Sequence, residues 1–597
     1  MRRSIWDAEI QAVMDAARVP VVKQVTVEGV RKEVPTPFAS PPDWRDVWIY
    51  FLMVDRFCNP AAPPRHRWDG EHESFQGGTF HGVRRHLPYL KALGAGAIWL
   101  SPVLRNPRWS DRSYHGYGIQ DFLGVEPRFA SDGRAATAET ELRALVDEAH
   151  ALGLYVIFDV VLNHAGDLFN YEGMCRQRDW KPLGEYRIFW RDASGVAQGS
   201  WDDLAAAGEH PDVGIWPREL RRNEYFRRRG SHGGSPCETM GDFGALKELV
   251  TEYLRPDGSF PVREALIRST QYLIARFDID GYRIDTLKYV QPAFARVFGS
   301  AMREFALSIG KRDFFTFGEV WDREEKIARF IGRNVEEGDA AMGVDAALDF
   351  PVFEALQAVC KGRDAPRTLA DVYENRKVVQ RRIMSSHGDA SRFFVTFLDN
   401  HDLNQRFYYQ DPAAAHRYDD QLTMALGCLF CLQGIPCLYY GTEQGLHGIG
   451  SRREAVREAL WGRPGPFDRG HSFYRAVQRL SRLRQSHPAL RYGRQYFRDV
   501  SGNGRDFGPG TTRPGVLAFS RILNDREVVV VANTDTGRAQ ALHVTVDSRL
   551  HPAGRQLAVA YSNKPQPSAP APVAHRDGRA STRVDLQPCE VQVLLRA

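Results

Sequence analysis

Cysteine is scarce in this chain. Eight residues (Cys58, Cys175, Cys237, Cys360, Cys428, Cys431, Cys437 and Cys589) spread over 597 positions make no disulfide framework and point to a reducing compartment. Only Cys428 and Cys431 stand at C-x-x-C spacing, inside the apolar run MALGCLFCLQGIPCLYYG with no second pair nearby, so they read as core and not as metal or redox ligands. Long apolar runs are absent too: nothing reaches the roughly 18 residues that cross a bilayer. Asp7 and Glu9 interrupt the start where a secretory segment would be apolar, so the expected location is cytoplasmic, with no membrane contact. Charge of one sign is in short supply, since 79 Lys and Arg against 74 Asp and Glu leave +5, which excludes a footprint for nucleic acid.

What is present is an ordered chain, 43% hydrophobic and 11% aromatic, and too long for one core, so a large domain with smaller additions is expected. Residues 1–44 form an N-terminal extension in which Ser4 and Asp7 fit a capping box and Trp6, Ile10, Val13, Met14 and Ala17 fall at helical spacing. Beyond it, eight short apolar runs alternate with helical patterns: VWIYFLMV, AIWLS, LYVIFDVVL, IDGYRID, FFTFGE, VDAALDF, FFVTFLDN and IPCLYYG. This alternation predicts an α/β fold, a (β/α)8 barrel over residues 45–164 and 262–492. The spacers FHGVRRHLPYLKALGAG and ELRALVDEAHALG end in glycine, as crossover helices do.

Residues 165–261 interrupt the alternation after the third strand and read as an inserted subdomain, whose Trp180, Trp190, Trp201, Trp216, Tyr225 and Phe226 suit a small core of its own, with sugar stacking as the alternative. Within it, RRNEYFRRRG reads as a solvated face, with contact to a partner as the alternative. Residues 493–597 change to strand periodicity with turn residues between, an antiparallel β-sandwich, in which the Pro-rich KPQPSAPAPVAHRDG is expected to be an extended hairpin loop.

In such a barrel the reacting groups sit at the C-terminal ends of the strands. Here those ends carry Asp159 and Asn163-His164, then Arg283 and Asp285, then Glu319, then Asp399, Asn400, His401 and Asp402. A single carboxylate at a strand end is commonly a helix cap or a salt bridge. Four strand ends that bring carboxylates to one mouth, with an arginine and two histidines, exceed what those roles need.

These residues resemble the α-amylase superfamily, known also as glycoside hydrolase family thirteen, over residues 47–597. DVVLNH is similar to the family's first motif, GYRIDTLKY to its second, FGEVW to its third and FLDNHD to its fourth; YHGYG and GIPCLYYGTEQG match the segments at the second and eighth strands. The resemblance implies a retaining hydrolase of α-1,4-linked glucans such as malto-oligosaccharides, starch or glycogen. Asp285 would be the nucleophile, held ionised by Arg283, Glu319 the acid/base, and Asp402 the group that grips the sugar hydroxyls. It further implies that His164 and His401 bond the reacting sugar, that Tyr117 offers it a π-face, and that Lys288 and Tyr289 face the leaving group. Calcium bound by Asn163, Glu248 and the backbone carbonyl of Tyr289 is implied as well, with no organic cofactor.

The chain departs from the family's pattern at Tyr289 (usually His), Gly118 (frequently Trp), Thr442 (frequently Asp) and Glu248 (usually Asp). The same carboxylates would serve an α-glucan transglycosylase, because water and a sugar acceptor are activated alike. A catalytically dead carbohydrate-binding relative would be expected to have lost one of the three carboxylates, and none is lost.

Overall fold

The computed structural model describes residues 3–334, 342–565 and 569–597. Eight parallel strands form the centre: β1 (Ile49–Leu52), β2 (Ala97–Leu100), β3 (Tyr155–Val161), β4 (Gly281–Asp285), β5 (Phe315–Gly318), β6 (Ala346–Ala347), β7 (Val395–Thr396) and β8 (Ile435–Tyr439). Their neighbour order is 6-5-4-3-2-1-8-7, and a parallel bridge between Leu348 and Val395 joins the two ends into a barrel. All eight expected runs therefore contribute a strand. They are apolar on both faces because the interior is filled with side chains and the exterior is covered by helices. Inside, Phe51 stacks on Trp99 at 3.8 Å and Trp99 meets the edge of Phe317 at 5.5 Å.

The crossover helices end as their sequences predict. Gly94 closes the helix Leu87–Leu93 in a left-handed conformation, φ 102°, where a β-carbon would be strained. The spacer before β2 is not one helix: it breaks at His86, between Phe80–Arg85 and Leu87–Leu93, because Pro88 has no amide hydrogen to continue the first.

The N-terminal extension packs on the barrel. Its helix is Ala8–Ala16, and Asp7, not Ser4, sits at the cap, its carboxylate accepting from the backbone N–H groups of Arg3 and Ser4. Trp6 therefore precedes the helix and is 64% exposed beside the Arg268 guanidinium, while Ile5, Ile10 and Met14 are buried. A hairpin, Val21–Val27 with Val30–Thr36, follows, and Lys32 of the hairpin donates to the carbonyl of Ala151.

Between β3 and the helix Pro261–Phe277 the insert has little regular structure: Phe169–Tyr171 pairs with Ile188–Trp190, and His164–Ala165 with Lys247–Glu248. Phe169, Trp190 and Phe226 meet edge to face in its core, so the sequence reading of most of these aromatics holds. The reading of RRNEYFRRRG does not. Arg221 donates to the carbonyls of Val213 and Gly208, Arg227 pairs with Glu248, and Arg229 donates to the carbonyl of Lys181; these arginines staple loops that lack a ladder of their own.

The C-terminal residues form a nine-stranded antiparallel sheet from Arg494 to Arg596. Along Arg526–Asn533 the faces divide by period two: Val529 and Val531 join a core internal to the sheet, while Val528, Val530 and Ala532 join the barrel's core. Part of the Pro-rich stretch is strand and not loop, since Ala571–Arg576 pairs with Arg579–Leu586; its residues 566–568 lie outside the described residues. Cys428 and Cys431 are buried in the helix Asp419–Cys431, as core.

Burial of the N-terminal helix gives the first test. Ile10→Ala should lower the free energy of unfolding by about 2–4 kcal/mol, as truncation of a fully buried aliphatic does, whereas Trp6→Ala should cost less than about 1 kcal/mol. Denaturant titration of both variants measures the difference.

Candidate active site

Asp285 ends β4, and Glu319 follows β5 directly. Arg283, two residues before Asp285 and so on the same inward face, places one guanidinium among three carboxylates. Its Nη1 donates to Asp159 Oδ1 at 2.9 Å and to Asp285 Oδ1 at 2.8 Å, and its Nη2 to Glu319 Oε2 at 2.6 Å. Arg283 is 1% exposed and lies beneath the pocket floor, not on the sugar's path. Asp159 is held further by Trp99 Nε1 at 3.1 Å and the Tyr117 hydroxyl at 2.9 Å.

Thr286, passed over in the sequence, adopts φ 46°, a left-handed conformation rare for a β-branched residue and a form of strain that clusters at active sites. That turn aims its backbone N–H at Glu319 Oε2 (3.0 Å) and its hydroxyl at Asp285 Oδ2 (3.1 Å). Gly318 has no side chain because Leu287, in the same turn, occupies that space.

Three carboxylates share one cation in a place water hardly reaches, and burial dominates their titration. It pushes Asp159 and Asp285 up to about 6 and Glu319 up to about 7, with Arg283 opposing in each case. Asp402 goes the other way: burial opposes its charge, but His401, Arg457 and Arg453 together hold its carboxyl well below the usual range. Arg453 donates to Asp402 Oδ1 at 3.0 Å and Arg457 at 3.2 Å. Arg457 also donates to the His401 carbonyl (2.8 Å) and the Tyr114 hydroxyl (2.8 Å). Neither arginine was found by sequence reasoning, for SRREAVRE lies in an irregular loop after β8 with no periodicity to place it.

A cavity of about 640 Å³ opens over this floor, lined by Asp285, Glu319 and Asp402 together with Tyr117, His164, Lys288 and Tyr289. His164 keeps Nε2 buried without a protein partner, and burial lowers its pKa to about 4, so a neutral ring is available to a hydroxyl. His401 does not line the cavity. It sits behind Tyr117, whose hydroxyl is 2.7 Å from its Nε2, and thus orients the ring expected to meet the sugar. Tyr289 meets Phe243 and His232 edge-on at 5.3 Å, so the aromatic wall comes from Phe243 of the insert and not from the six aromatics singled out in the sequence. Lys288 lies at the expected side but engages Asp322 at 3.0 Å and Glu238 of the insert at 3.4 Å.

The residues assigned to calcium do not fit a calcium ion. Glu248 is buried with both oxygens engaged, Oε1 by Arg227 at 3.0 Å and Oε2 by the Gly241 N–H. Its neighbour Asp242 is paired with the buried Lys247 ammonium. Asn163 turns its amide nitrogen to His164 Nδ1 at 3.3 Å. Among the described residues no three His, Cys, Asp or Glu side chains converge as metal ligands. Two built-in cations already balance the charge that calcium would meet. Exhaustive chelation should therefore leave the melting temperature unchanged in calorimetry, whereas Arg227→Ala, which leaves Glu248 buried and unpaired, should lower stability by about 3 kcal/mol or more.

The sequence matches the family model "Alpha amylase, catalytic domain" over residues 51–234 and 255–460. It is 29% identical over 490 residues to an alpha-amylase of Streptomyces lividans, covering 75% of this chain and 49% of that protein, so it spans about half the length of that relative. It is 24% identical over 518 residues to a cyclomaltodextrinase of a Bacillus species, covering 84% of this chain and 75% of that one. Among solved structures, the alpha-amylase of Geobacillus thermoleovorans complexed with acarbose superposes with a TM-score of 0.62 at 24% identity, covering 93% of this chain and 100% of that chain. With its barrel, its carboxylates and more than half of its length matched, the chain belongs to the alpha-amylase family of glycoside hydrolases.

Proposed function

We propose that the protein hydrolyses α-1,4-glucosidic bonds of malto-oligosaccharides or related α-glucans with retention of configuration. The observation that carries this reading is the shared guanidinium: Arg283 bonds Asp285 and Glu319 at once and holds them side by side under one cavity. Breaking an acetal by double displacement needs two such carboxyls, closely spaced at about 5 Å, one ionised to attack and one protonated to release the leaving oxygen. Burial sets them in that order, Asp285 losing its proton near 6 and Glu319 near 7. Asp402, kept ionised by Arg457, Arg453 and His401, supplies negative charge where the ring develops positive charge.

Hydrolysis is preferred to transfer because Lys288 and the FLDNHD motif resemble those of hydrolytic members. Tyr289 and Phe243 supply the aromatic surface that favours the second reading, in which a sugar replaces water as acceptor. Dominance of transfer or cyclic products at low substrate concentration would establish that alternative. A cytoplasmic location is supported by eight cysteines that are all unpaired, and none of the described helices is long and apolar enough to cross a membrane.

Two measurements test the reading. Time-resolved NMR of the released reducing ends should show the α-anomer first, since two inversions restore the configuration; initial β-anomer would refute the double displacement. The pH profile of kcat/KM should be a narrow bell, rising as Asp285 ionises near 6 and falling as Glu319 loses its proton near 7. Glu319→Gln should abolish the alkaline limb and spare turnover only on substrates with good leaving groups, while Asp285→Asn should lower kcat on the order of 10⁴-fold or more on all of them.

A further inference from the structure

The cavity has two ends, and the chemistry orients them. Glu319 gives its proton to the departing oxygen, and Lys288, Tyr289 and Trp321 line the wall on that side, after β4 and β5. The donor part of a glucan must then leave toward the opposite wall, built by the segments after β1, β2 and β8, where Glu73, Arg112 and Arg453 line the cavity.

Each end is spanned by one carboxylate. At the donor end Glu73, after β1, pairs with Arg112, after β2, at 3.2 Å and with Arg452, after β8, at 2.6 Å. The Tyr114 hydroxyl joins the same corners, donating to Glu454 at 3.1 Å and accepting from Arg457 at 2.8 Å. At the leaving-group end Glu238, on the insert, pairs with Lys288 at 3.4 Å and Lys326 at 2.5 Å, and Gln291 donates to the neighbouring Thr239 at 3.1 Å. The lysine that the family resemblance offers to a leaving sugar is thus tied to the insert. Beyond Arg112 the cavity adjoins a side space of about 420 Å³ between the loop after β2 and the insert.

We infer that Glu73 and Glu238 are specificity-determining straps that close the two ends of the cleft and restrict this enzyme to short oligosaccharides in preference to polymeric glucan. The inference rests on the glucan-hydrolase reading and narrows it. A long chain that runs along the cleft meets ion pairs at both ends, Glu73 lining it at one and the Lys288 that Glu238 holds lining it at the other, while a short one can lie over Asp285 between them; a cavity of about 640 Å³ lies within the range of about 300–1,000 Å³ typical for pockets that enclose a small ligand. The straps are partly exposed, so they are weak and screened by salt. They bias substrate size without blocking entry outright.

The test compares kcat/KM on maltotriose and on amylose for the full chain and for Glu73→Gln, Glu238→Gln and the double variant. Wild type should favour maltotriose. Each single substitution should raise the amylose value by about fivefold, as expected for the loss of its exposed ion pairs, and change the maltotriose value by less. Salt at 1 M should move the wild-type ratio the same way and leave the double variant's ratio unmoved. Equal wild-type values for the two substrates, or a ratio unchanged in all three variants, would overturn the straps while leaving the hydrolase reading intact. Turnover of neither substrate would overturn the hydrolase reading itself, and the straps with it.

Discussion

One buried guanidinium organises the barrel mouth. Arg283 cannot lose its proton, is almost sealed from water, and is surrounded by Asp159, Asp285 and Glu319. A single positive charge cannot stabilise three ionised carboxylates in such a place, so protons are retained above the usual carboxylate range, and the group best able to keep one is Glu319. The distinction between attacking base and proton donor is thereby an electrostatic property of the cluster. It depends on β3, β4 and β5 lying in register, since Arg283 stands beside Asp159 on one neighbour and Phe317 on the other. The register of these three strands is in that sense a condition of the cluster's titration.

A second arrangement balances the first across the cavity. Asp402 is held by Arg453 and Arg457 and flanked by His401, so its charge persists where that of Asp285 and Glu319 is contested. Three loops, after β2, β7 and β8, meet on Arg457, which is 3% exposed. Both halves of the site therefore use arginine as the organising cation, and the insert repeats the device with Arg227 on Glu248 where calcium was expected.

The fold was legible because its strands are short, apolar on both faces and separated by helices, a pattern few architectures share. The catalytic carboxylates were legible because strand ends are fixed points and the motifs there are specific. Loops and inserts obeyed neither rule. Trp6 was expected on the buried face because the helix was taken to start at Ser4; the helix starts after Asp7, so Trp6 precedes it and falls off a stripe that Ile10, Val13, Met14 and Ala17 keep. Arg457, Phe243 and the arginines near Arg221 belong to irregular segments whose contacts are long-range, and local periodicity carries no information about those. Glu248 was implied as a metal ligand by the family resemblance, and only its neighbours reveal that a guanidinium meets it first.

The N-terminal extension binds segments far along the chain. The hydroxyl of Ser4 and the N–H of Ile5 meet Glu219 in the insert, and the carbonyl of Ile5 accepts from Arg268 on the helix Pro261–Phe277. Their partners lie 214 to 263 positions further along the chain, so they leave the ribosome well before those partners do. At about 5–20 residues per second, synthesis leaves Ile5, Ile10 and Met14 uncovered for tens of seconds. During that interval the amphipathic helix lacks the helix Pro261–Phe277, whose Arg268 donates to Ile5 across 263 positions. The segment that tightens the finished protein is therefore an exposed apolar surface while the chain is being made.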